Sequence, residues 1–155
     1  MNVKTLPNNV VIAEVINMLK TCERVVLPVK GYSMNPFIVG GRDSVELVKP
    51  LKPLKDYDVV LAWVDGCRYV VHRIVGIEGD RVTLMGDGNL NIYEHCRVDE
   101  VVAVAEYVVK PNGERRYLYT NGRLRAARRW RSWLPVRRWL LAVYRRTLLK
   151  LNITV

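Results

Sequence analysis

The sequence is poor in cysteine, and the cysteines it has form no recognisable framework. Cys22, Cys67 and Cys96 are odd in number and far apart, with no C-x-x-C pair among them. This spacing fits a reducing compartment and predicts neither a disulfide framework nor a zinc site, so we expect three free, buried thiols. Half of the 155 residues are apolar, which is enough for a hydrophobic core and too many for a disordered chain.

Long apolar runs are also missing. A transmembrane helix needs about 20 predominantly apolar residues, whereas the longest stretch without a charged side chain is Gly31–Gly41. Residues 1–20 contain Lys4, Glu14 and Lys20 and lack the continuous apolar segment of a signal peptide. We therefore expect neither a transmembrane segment nor a signal peptide, and a protein that is cytoplasmic or bound peripherally to a membrane.

Acidic residues are absent from the C-terminal part of the chain. Residues 1–114 hold 13 Lys/Arg and 15 Asp/Glu, a net charge of −2, whereas residues 115–155 hold 12 Lys/Arg and no acid, a net charge of +12. The formal charge of +10 is therefore a property of this basic C-terminal segment. The body that precedes it is close to neutral.

Most of the body predicts short strands joined by tight turns. Apolar β-like runs follow one another without long helical segments between them, and Asp65-Gly66 is a strong hairpin signal. Such spacing is typical of antiparallel pairing. A polar loop is expected between Asn89 and Val101. The β-like runs cover residues 24–30, 45–48, 59–64, 68–77, 81–85 and 101–109.

Helical patterns flank this β-rich region. Val11, Val15 and Leu19 recur at helical spacing before the first strand-like run. We therefore predict a mainly β protein with three parts. They are an N-terminal helix within residues 1–23, a compact antiparallel β domain over 24–120, and a basic helical tail over 121–155.

The turn after the first strand-like run is the most distinctive stretch of the sequence. It reads Gly31-Tyr32-Ser33-Met34-Asn35-Pro36. A serine on a turn at the end of a strand exposes its hydroxyl, as a nucleophile requires, and leaves backbone N–H groups free to bind an oxyanion. Taken alone, a serine in a glycine–proline turn is most often only a turn residue, so the interpretation depends on partners elsewhere.

Two other segments offer such partners. His72 lies in the strand-like run 69–75, and a neutral imidazole accepts a serine proton near neutral pH. Asp87 lies in the turn Gly86–Asn89, and an aspartate bound to the far imidazole nitrogen fixes the tautomer of a catalytic histidine. By itself, each is more often structural: a histidine of the core or surface, and an aspartate in a glycine-rich turn.

Together, the three segments resemble a known family of serine peptidases. Gly31–Pro36 resembles the G-x-S-M-x-P nucleophile box of type I signal peptidases and of self-cleaving LexA-type repressors. The run His72-Arg73-Ile74 resembles the H-R-[IV] segment of the signal peptidases found in archaea, the endoplasmic reticulum and some spore-forming bacteria. Gly86–Asn89 resembles the G-D-x-N segment that follows the histidine in that Ser-His subgroup.

The resemblance implies roles for these residues. Ser33 would be the nucleophile, His72 the base and then the acid, and Asp87 the group that orients His72. Some relatives have a serine at the position of Gly31, so here the oxyanion hole would use backbone N–H groups, that of Ser33 first. Many relatives also carry a second aspartate where this chain has Tyr93, which makes the neighbouring Glu94 a possible secondary acid.

The family also implies a fold and a substrate class. It has a compact antiparallel β domain with a hydrophobic groove, and it binds extended peptides with small side chains before the cut by strand addition. Neither a metal nor a cofactor is implied. Typical signal peptidases are anchored by transmembrane helices, and we expect this chain to depart from them because no apolar run of that length is visible.

Two alternatives to a signal-peptidase-like enzyme remain open. A LexA-like self-cleaving regulator would need a DNA-binding domain and a cleavable linker upstream in the same chain, whereas only residues 1–23 precede the first strand-like run. A catalytically idle relative would instead bind peptides without cleaving them. Peptide cleavage by the wild type and not by a Ser33→Ala variant distinguishes the enzyme from the idle relative.

The basic tail has three interpretations. Its helices could cap the sheet, with Leu140, Val143 and Leu148 covering it and the arginines in solvent. Residues 123–151 could instead bind an anionic membrane surface, because an arginine-rich face opposite Trp and Leu is the interfacial pattern. Nucleic-acid binding is the least favoured, because the charge would attract phosphates but no DNA-binding motif is present. The tryptophans concerned are Trp130, Trp133 and Trp139.

Overall fold

The structure, a computed structural model, describes residues 8–152 of the chain, with side chains described for residues 10–147. Over this range it has eight strands and three α-helices. The elements are α1 (Asn8–Thr21), β1 (Arg24–Pro28), β2 (Ser44–Val48), β3 (Val59–Val64), β4 (Arg68–Glu78), β5 (Arg81–Met85), β6 (Glu94–Arg97), β7 (Val101–Val109), β8 (Arg115–Tyr117), α2 (Asn121–Ser132) and α3 (Leu134–Asn152), with a short 3-10 helix at Val98–Glu100.

All strand pairs are antiparallel, and the sheet curls into a half-barrel. The strand order is β1-β2-β7-β3-β4-β5-β6, with β8 paired to β7. The predicted mainly β architecture, with a helix before the sheet and helices after it, is confirmed. The strand β6 lies where the sequence predicts a polar loop. It has the sequence Glu-His-Cys-Arg and, within residues 8–152, pairs with β5 alone, at the end of the sheet.

The central strand β3 separates two hydrophobic clusters. Val59 and Leu61 belong to one cluster, while Val60, Ala62 and Val64 belong to the other. Successive side chains of a strand point to opposite faces, so a strand covered on both faces has to be apolar throughout. The first cluster also contains Val15 and Leu19 of α1, as the amphipathic pattern of that helix predicts. The helix therefore closes one face of the sheet.

The C-terminal helices begin and end at recognisable signals. Thr120 caps α2, and its side chain accepts a hydrogen bond from the backbone N–H of Arg123. Pro135 lies in the first turn of α3, where a proline costs no helical hydrogen bond. Within residues 8–152, no helix has the length and apolar character that crossing a membrane requires.

The expectation of three buried thiols is wrong for two of them. Cys22, directly after α1, and Cys67, in the β3–β4 turn, are both exposed, because these positions lie at the ends of elements rather than on a covered face. Cys96 alone is buried, and burial raises the pKa of its thiol to about 11. It therefore stays protonated near neutral pH.

This difference predicts the pattern of thiol modification. In the native protein, a maleimide or iodoacetamide reagent should label Cys22 and Cys67 and leave Cys96 unmodified, because only an accessible thiolate reacts. Mass spectrometry of tryptic peptides before and after denaturation measures this. Labelling of Cys96 in the native protein at the rate of the other two would contradict the buried position of Cys96.

Candidate active site

The serine turn is held by its own backbone and by buried neighbours. Gly31 has φ +77°, a left-handed conformation that favours glycine, and it reverses the chain after β1. The N–H of Asn35 donates to the carbonyl of Tyr32 (3.2 Å), and the side chain of Met34 is buried. Ser33 itself is half-buried. Its backbone N–H donates to no other group in the described part of the chain, so it is free to bind an oxyanion.

The turn after β5 presses directly on the serine turn. The N–H of Gly88 donates to the carbonyl of Ser33 at 2.7 Å. A Cβ on Gly86 would lie 2.4 Å from the carbonyl oxygen of Ser33, and one on Gly88 would lie 2.4 Å from that of Tyr32. Real Cβ atoms do not approach backbone so closely, so glycine is required at both positions. The glycines of this segment, Gly86–Asn89, let one backbone pack on another and fix the position of Ser33.

His72 is buried in β4 and has an acidic partner. Its ring nitrogen Nδ1 is hydrogen-bonded to Oε2 of Glu94, the first residue of β6. Glu94 is buried as well, and its other oxygen accepts from Nη2 of Arg68. A carboxylate at Nδ1 keeps the proton on that nitrogen and leaves Nε2 as the acceptor. The histidine is thereby set up as a base.

The ionised state of Glu94 follows from its partners. Burial by itself opposes ionisation, but the hydrogen bond from the His72 ring and the electrostatic attraction of the His72 and Arg68 side chains outweigh it. The pKa of Glu94 is therefore held below its usual value. A carboxylate beside the imidazole stabilises the imidazolium that forms when the ring takes up a proton.

Asp87 binds Arg73 and not His72, so the expected contact between Asp87 and His72 is wrong. The guanidinium of Arg73 donates to both carboxylate oxygens of Asp87, from Nε at 2.8 Å and from Nη2 at 2.7 Å. Both side chains are buried. Burial by itself lowers the pKa of Arg73, but the charge of Asp87 and the hydrogen bonds to it outweigh burial and the pKa is raised, so the guanidinium stays charged.

The alternation of β4 explains this exchange of acids. His72 and Arg73 are successive strand residues, so their side chains point to opposite faces. Glu94 lies on the side of His72, and Asp87 lies on the side of Arg73. The position expected for Asp87 is thus occupied by Glu94, which the sequence suggested only as a secondary acid.

Ser33 and His72 face one cavity of about 530 Å³. The structure has no hydrogen bond between the Ser33 hydroxyl and the imidazole within the residues it describes; such contacts often tighten only when substrate binds. Glu94 and Asn89 also line the cavity. Its other walls are mostly apolar and come from α1, the end of β1 and the start of β4, with Val11, Ile12, Leu27, Pro28, Val29, Tyr69, Val70 and Val71 among them.

Two strand edges without a partner strand border this cavity. Within the described residues, β1 pairs only with β2. The strand β4 pairs with β5 only from Arg73 onward, so its residues 68–72 pair on one side alone, with β3. An extended segment placed in the cavity would find backbone donors and acceptors on these two edges.

The tail braces the same turn from the other side. Nε1 of Trp130 donates to the carbonyl of Asp87 at 2.7 Å, and Nη2 of Arg137 donates to the carbonyls of Gly86 (3.1 Å) and Asn89. The Trp130 ring also makes an edge contact with Phe37, at 6.3 Å between centroids. The tail is therefore part of the support of the site.

The tail does cap the body, but with other residues than expected. Among the side chains that the structure describes in α2 and α3, Ala127, Arg137 and Leu141 are buried, whereas Leu140 and Val143 are exposed. Leu148 lies outside the residues whose side chains are described. The sequence predicts the wrong face of α3 because apolar spacing places Leu140 and Val143 on the covered side. The buried face is centred on Arg137, and an apolar pattern cannot indicate a buried arginine.

Comparisons with protein-family models, with curated proteins and with solved structures find no match to this chain.

The buried pair predicts that Asp87 acts first on stability. Asp87→Ala should lower the free energy of unfolding by about 3–5 kcal/mol, because it leaves a buried guanidinium without its partner. The double variant Arg73→Met/Asp87→Ala should recover part of that loss, because it also removes the unpaired charge. Chemical denaturation measures both values.

Asp80→Asn is the matched control, because Asp80 pairs with Arg97 on the surface at 2.9 Å with both side chains exposed. It should change the unfolding transition little. An Asp87→Ala protein as stable as this control would show that the ion pair does not hold the turn.

The close backbone contact gives a separate prediction. Gly88→Ala should lower both the melting temperature and the yield of folded protein, because its methyl group would displace the carbonyl of Tyr32 next to Ser33. Gly76→Ala is the control, since a Cβ there meets nothing within 4 Å. Equal melting temperatures for the two variants, measured by circular dichroism, would contradict the tight packing of the two turns.

Proposed function

We propose that this chain is a serine endopeptidase that cleaves leader-type or signal-type peptides in extended conformation. One observation carries the proposal: His72, oriented by the buried Glu94, faces the same cavity as the half-buried Ser33. A nucleophile, a base and an acid that orients the base are the three parts that acyl transfer by a serine needs.

The chemistry assigns one step to each group. Oγ of Ser33 forms a bond to the scissile carbonyl carbon, and its proton passes to Nε2 of His72. The imidazolium, stabilised by Glu94, then returns that proton to the leaving amine as the C–N bond breaks. Water attacks the resulting ester of Ser33 with His72 again as base, which releases the acid and restores the hydroxyl.

The oxyanion of each tetrahedral intermediate needs a donor. The free N–H of Ser33 supports this role, because it lies on the reacting residue and no other described group accepts from it. The carbonyl of Ser33 is held by Gly88 at 2.7 Å. This restrains the peptide unit that follows Ser33 and so limits movement of the turn during the reaction.

The two unpaired strand edges support an extended substrate. A peptide that lies between β1 and the start of β4 would form backbone hydrogen bonds, and its side chains would meet the apolar walls of the cavity. The resemblance to signal peptidases adds a preference for small side chains before the cut. No metal or cofactor takes part in the mechanism that we propose.

The decisive comparison uses Ser33→Ala and Glu94→Gln. Ser33→Ala should abolish cleavage of a panel of leader peptides. Glu94→Gln should lower kcat by about two to four orders of magnitude with a smaller effect on KM, because an amide can hold the ring in the wrong tautomer. Cleavage measured by mass spectrometry gives the rates, and Asp80→Asn serves as the surface carboxylate control.

Two results would overturn the proposal. If the wild type and Ser33→Ala bind the peptides equally and neither cleaves any of them, the chain is a peptide-binding module. If Glu94→Gln retains activity within threefold of the wild type, Glu94 does not orient the base. Melting curves of each variant show whether a loss of activity reflects chemistry or unfolding.

A further inference from the structure

The helix α3 leaves an apolar stripe uncovered. Its packed face is formed by Arg137 and Leu141, which are 2% and 3% exposed. A second set of apolar side chains, here called the outer stripe, is between 37% and 69% exposed. The outer stripe consists of Trp133, which joins α2 to α3, and Val136, Trp139, Leu140 and Val143 of α3.

The outer stripe is continuous along one face of the helix. Residues three and four apart lie one above another on an α-helix, and Val136, Trp139, Leu140 and Val143 have this spacing. Arg137 lies about 100° further round the helix than Val136. The stripe is therefore not the surface that packs on the body, and among the described residues nothing covers it.

The two helices that carry the stripe are strongly basic. The helices α2 and α3 contain no acidic residue, and the Arg138 guanidinium lies 5.9 Å from the centre of the Trp139 ring. The body they are attached to has a net charge of −2. Positive charge and exposed apolar area thus lie side by side. The exposed arginines of the two helices are Arg125, Arg128, Arg129, Arg138, Arg145 and Arg146.

We propose that the outer stripe docks on the surface of an anionic lipid bilayer. An apolar helical face that contains tryptophan, bordered by arginine and free of acid, is the pattern of helices that lie in the membrane interface. Anionic headgroups would complement the arginines, and the acyl boundary would take up the apolar side chains. Docking does not depend on the proposed peptidase activity.

Other occupants fit less well. A symmetric dimer through this stripe would bring two sets of like-charged arginines together, which opposes association. Nucleic acid would satisfy the arginines but would leave Val136, Leu140 and Val143 without an apolar partner. Each of these alternatives gives a distinct result in the experiment below.

The docked helix is joined directly to the candidate site. Arg137, on the packed face of α3, donates to the carbonyl of Asn89, and Asn89 lines the cavity that Ser33 and His72 face. A protein held by the outer stripe would therefore have one wall residue of its cavity hydrogen-bonded to the helix that contacts lipid. Peptides that emerge at a membrane surface would be presented close to the groove.

The experiment compares full-length variants on two kinds of vesicle. Truncation of the tail is unsuitable because it would remove Trp130 and Arg137, which brace the turn at Gly86–Asn89. We expect the wild type to sediment with vesicles of phosphatidylcholine and phosphatidylglycerol and not with phosphatidylcholine alone. Binding should weaken with added salt, because charge attraction is screened within about 10 Å at 0.1 M.

Two pairs of substitutions test the stripe itself. Trp139→Ser/Val143→Ser should weaken binding to the anionic vesicles by on the order of tenfold or more, since it removes apolar area that the bilayer would bury. Val26→Ser/Leu51→Ser is the matched control, because both residues are exposed apolar side chains outside the tail. It should bind as the wild type does, and melting curves should show that both variants are folded.

Four results would overturn the proposal. The first is that the wild type does not bind anionic vesicles, and the second is that the stripe variant binds them as well as the wild type does. The third is that light scattering shows a dimer that depends on the stripe, without vesicle binding. The fourth is salt-sensitive binding of duplex DNA or RNA, unaffected by the stripe variant and without vesicle binding. The dimer would make the stripe an interface between copies, and the fourth result would assign the arginines to phosphates.

Discussion

The geometry of the candidate site depends on the buried ion pair between Arg73 and Asp87. This pair fastens the turn after β5 to β4, one residue along from His72. The backbone of Ser33 packs directly against the glycines of the same turn. The separation of Ser33 from His72 is therefore set through a third segment and not by a direct bond between them. A desolvated pair is costly to break but highly directional, which suits a contact that has to fix a distance.

Two adjacent residues of β4, His72 and Arg73, each bind a different acid, and the two acids have different roles. Because His72 and Arg73 point to opposite faces of the strand, the acid on one face orients a base and the acid on the other holds a turn. Each acid has a cation or imidazole of its own, so the two carboxylates do not compete for one partner. A slip of β4 by one residue would exchange the faces and disrupt both pairs.

The sequence predicts the segments that form the candidate site better than it predicts which acid pairs with which residue of β4. Turn chemistry and β alternation give most of the strands, the serine turn and the place of His72 in a strand, while the resemblance to signal peptidases names the candidate acids. They do not give β6, whose four residues include no run of apolar side chains, and without β6 the position of Glu94 stays unassigned. Which acid meets His72 depends on the face against which the Gly86–Asn89 turn packs. This face is determined by tertiary contacts, such as the hydrogen bond between Gly88 and Ser33, which join segments some 50 residues apart in the chain.

The orientation of α3 follows from the hydrogen bonds that the turn at Gly86–Asn89 requires. The carbonyls of Gly86 and Asn89 lie where α3 covers them, and buried carbonyls need donors. One guanidinium offers several N–H groups in a fixed plane, so Arg137 serves both carbonyls where an apolar residue would leave them unsatisfied. Once Arg137 points inward, the helical period also directs Leu141 inward, and Val136, Leu140 and Val143 face away from the body. The contact that braces the candidate site thus also decides which face of α3 is exposed.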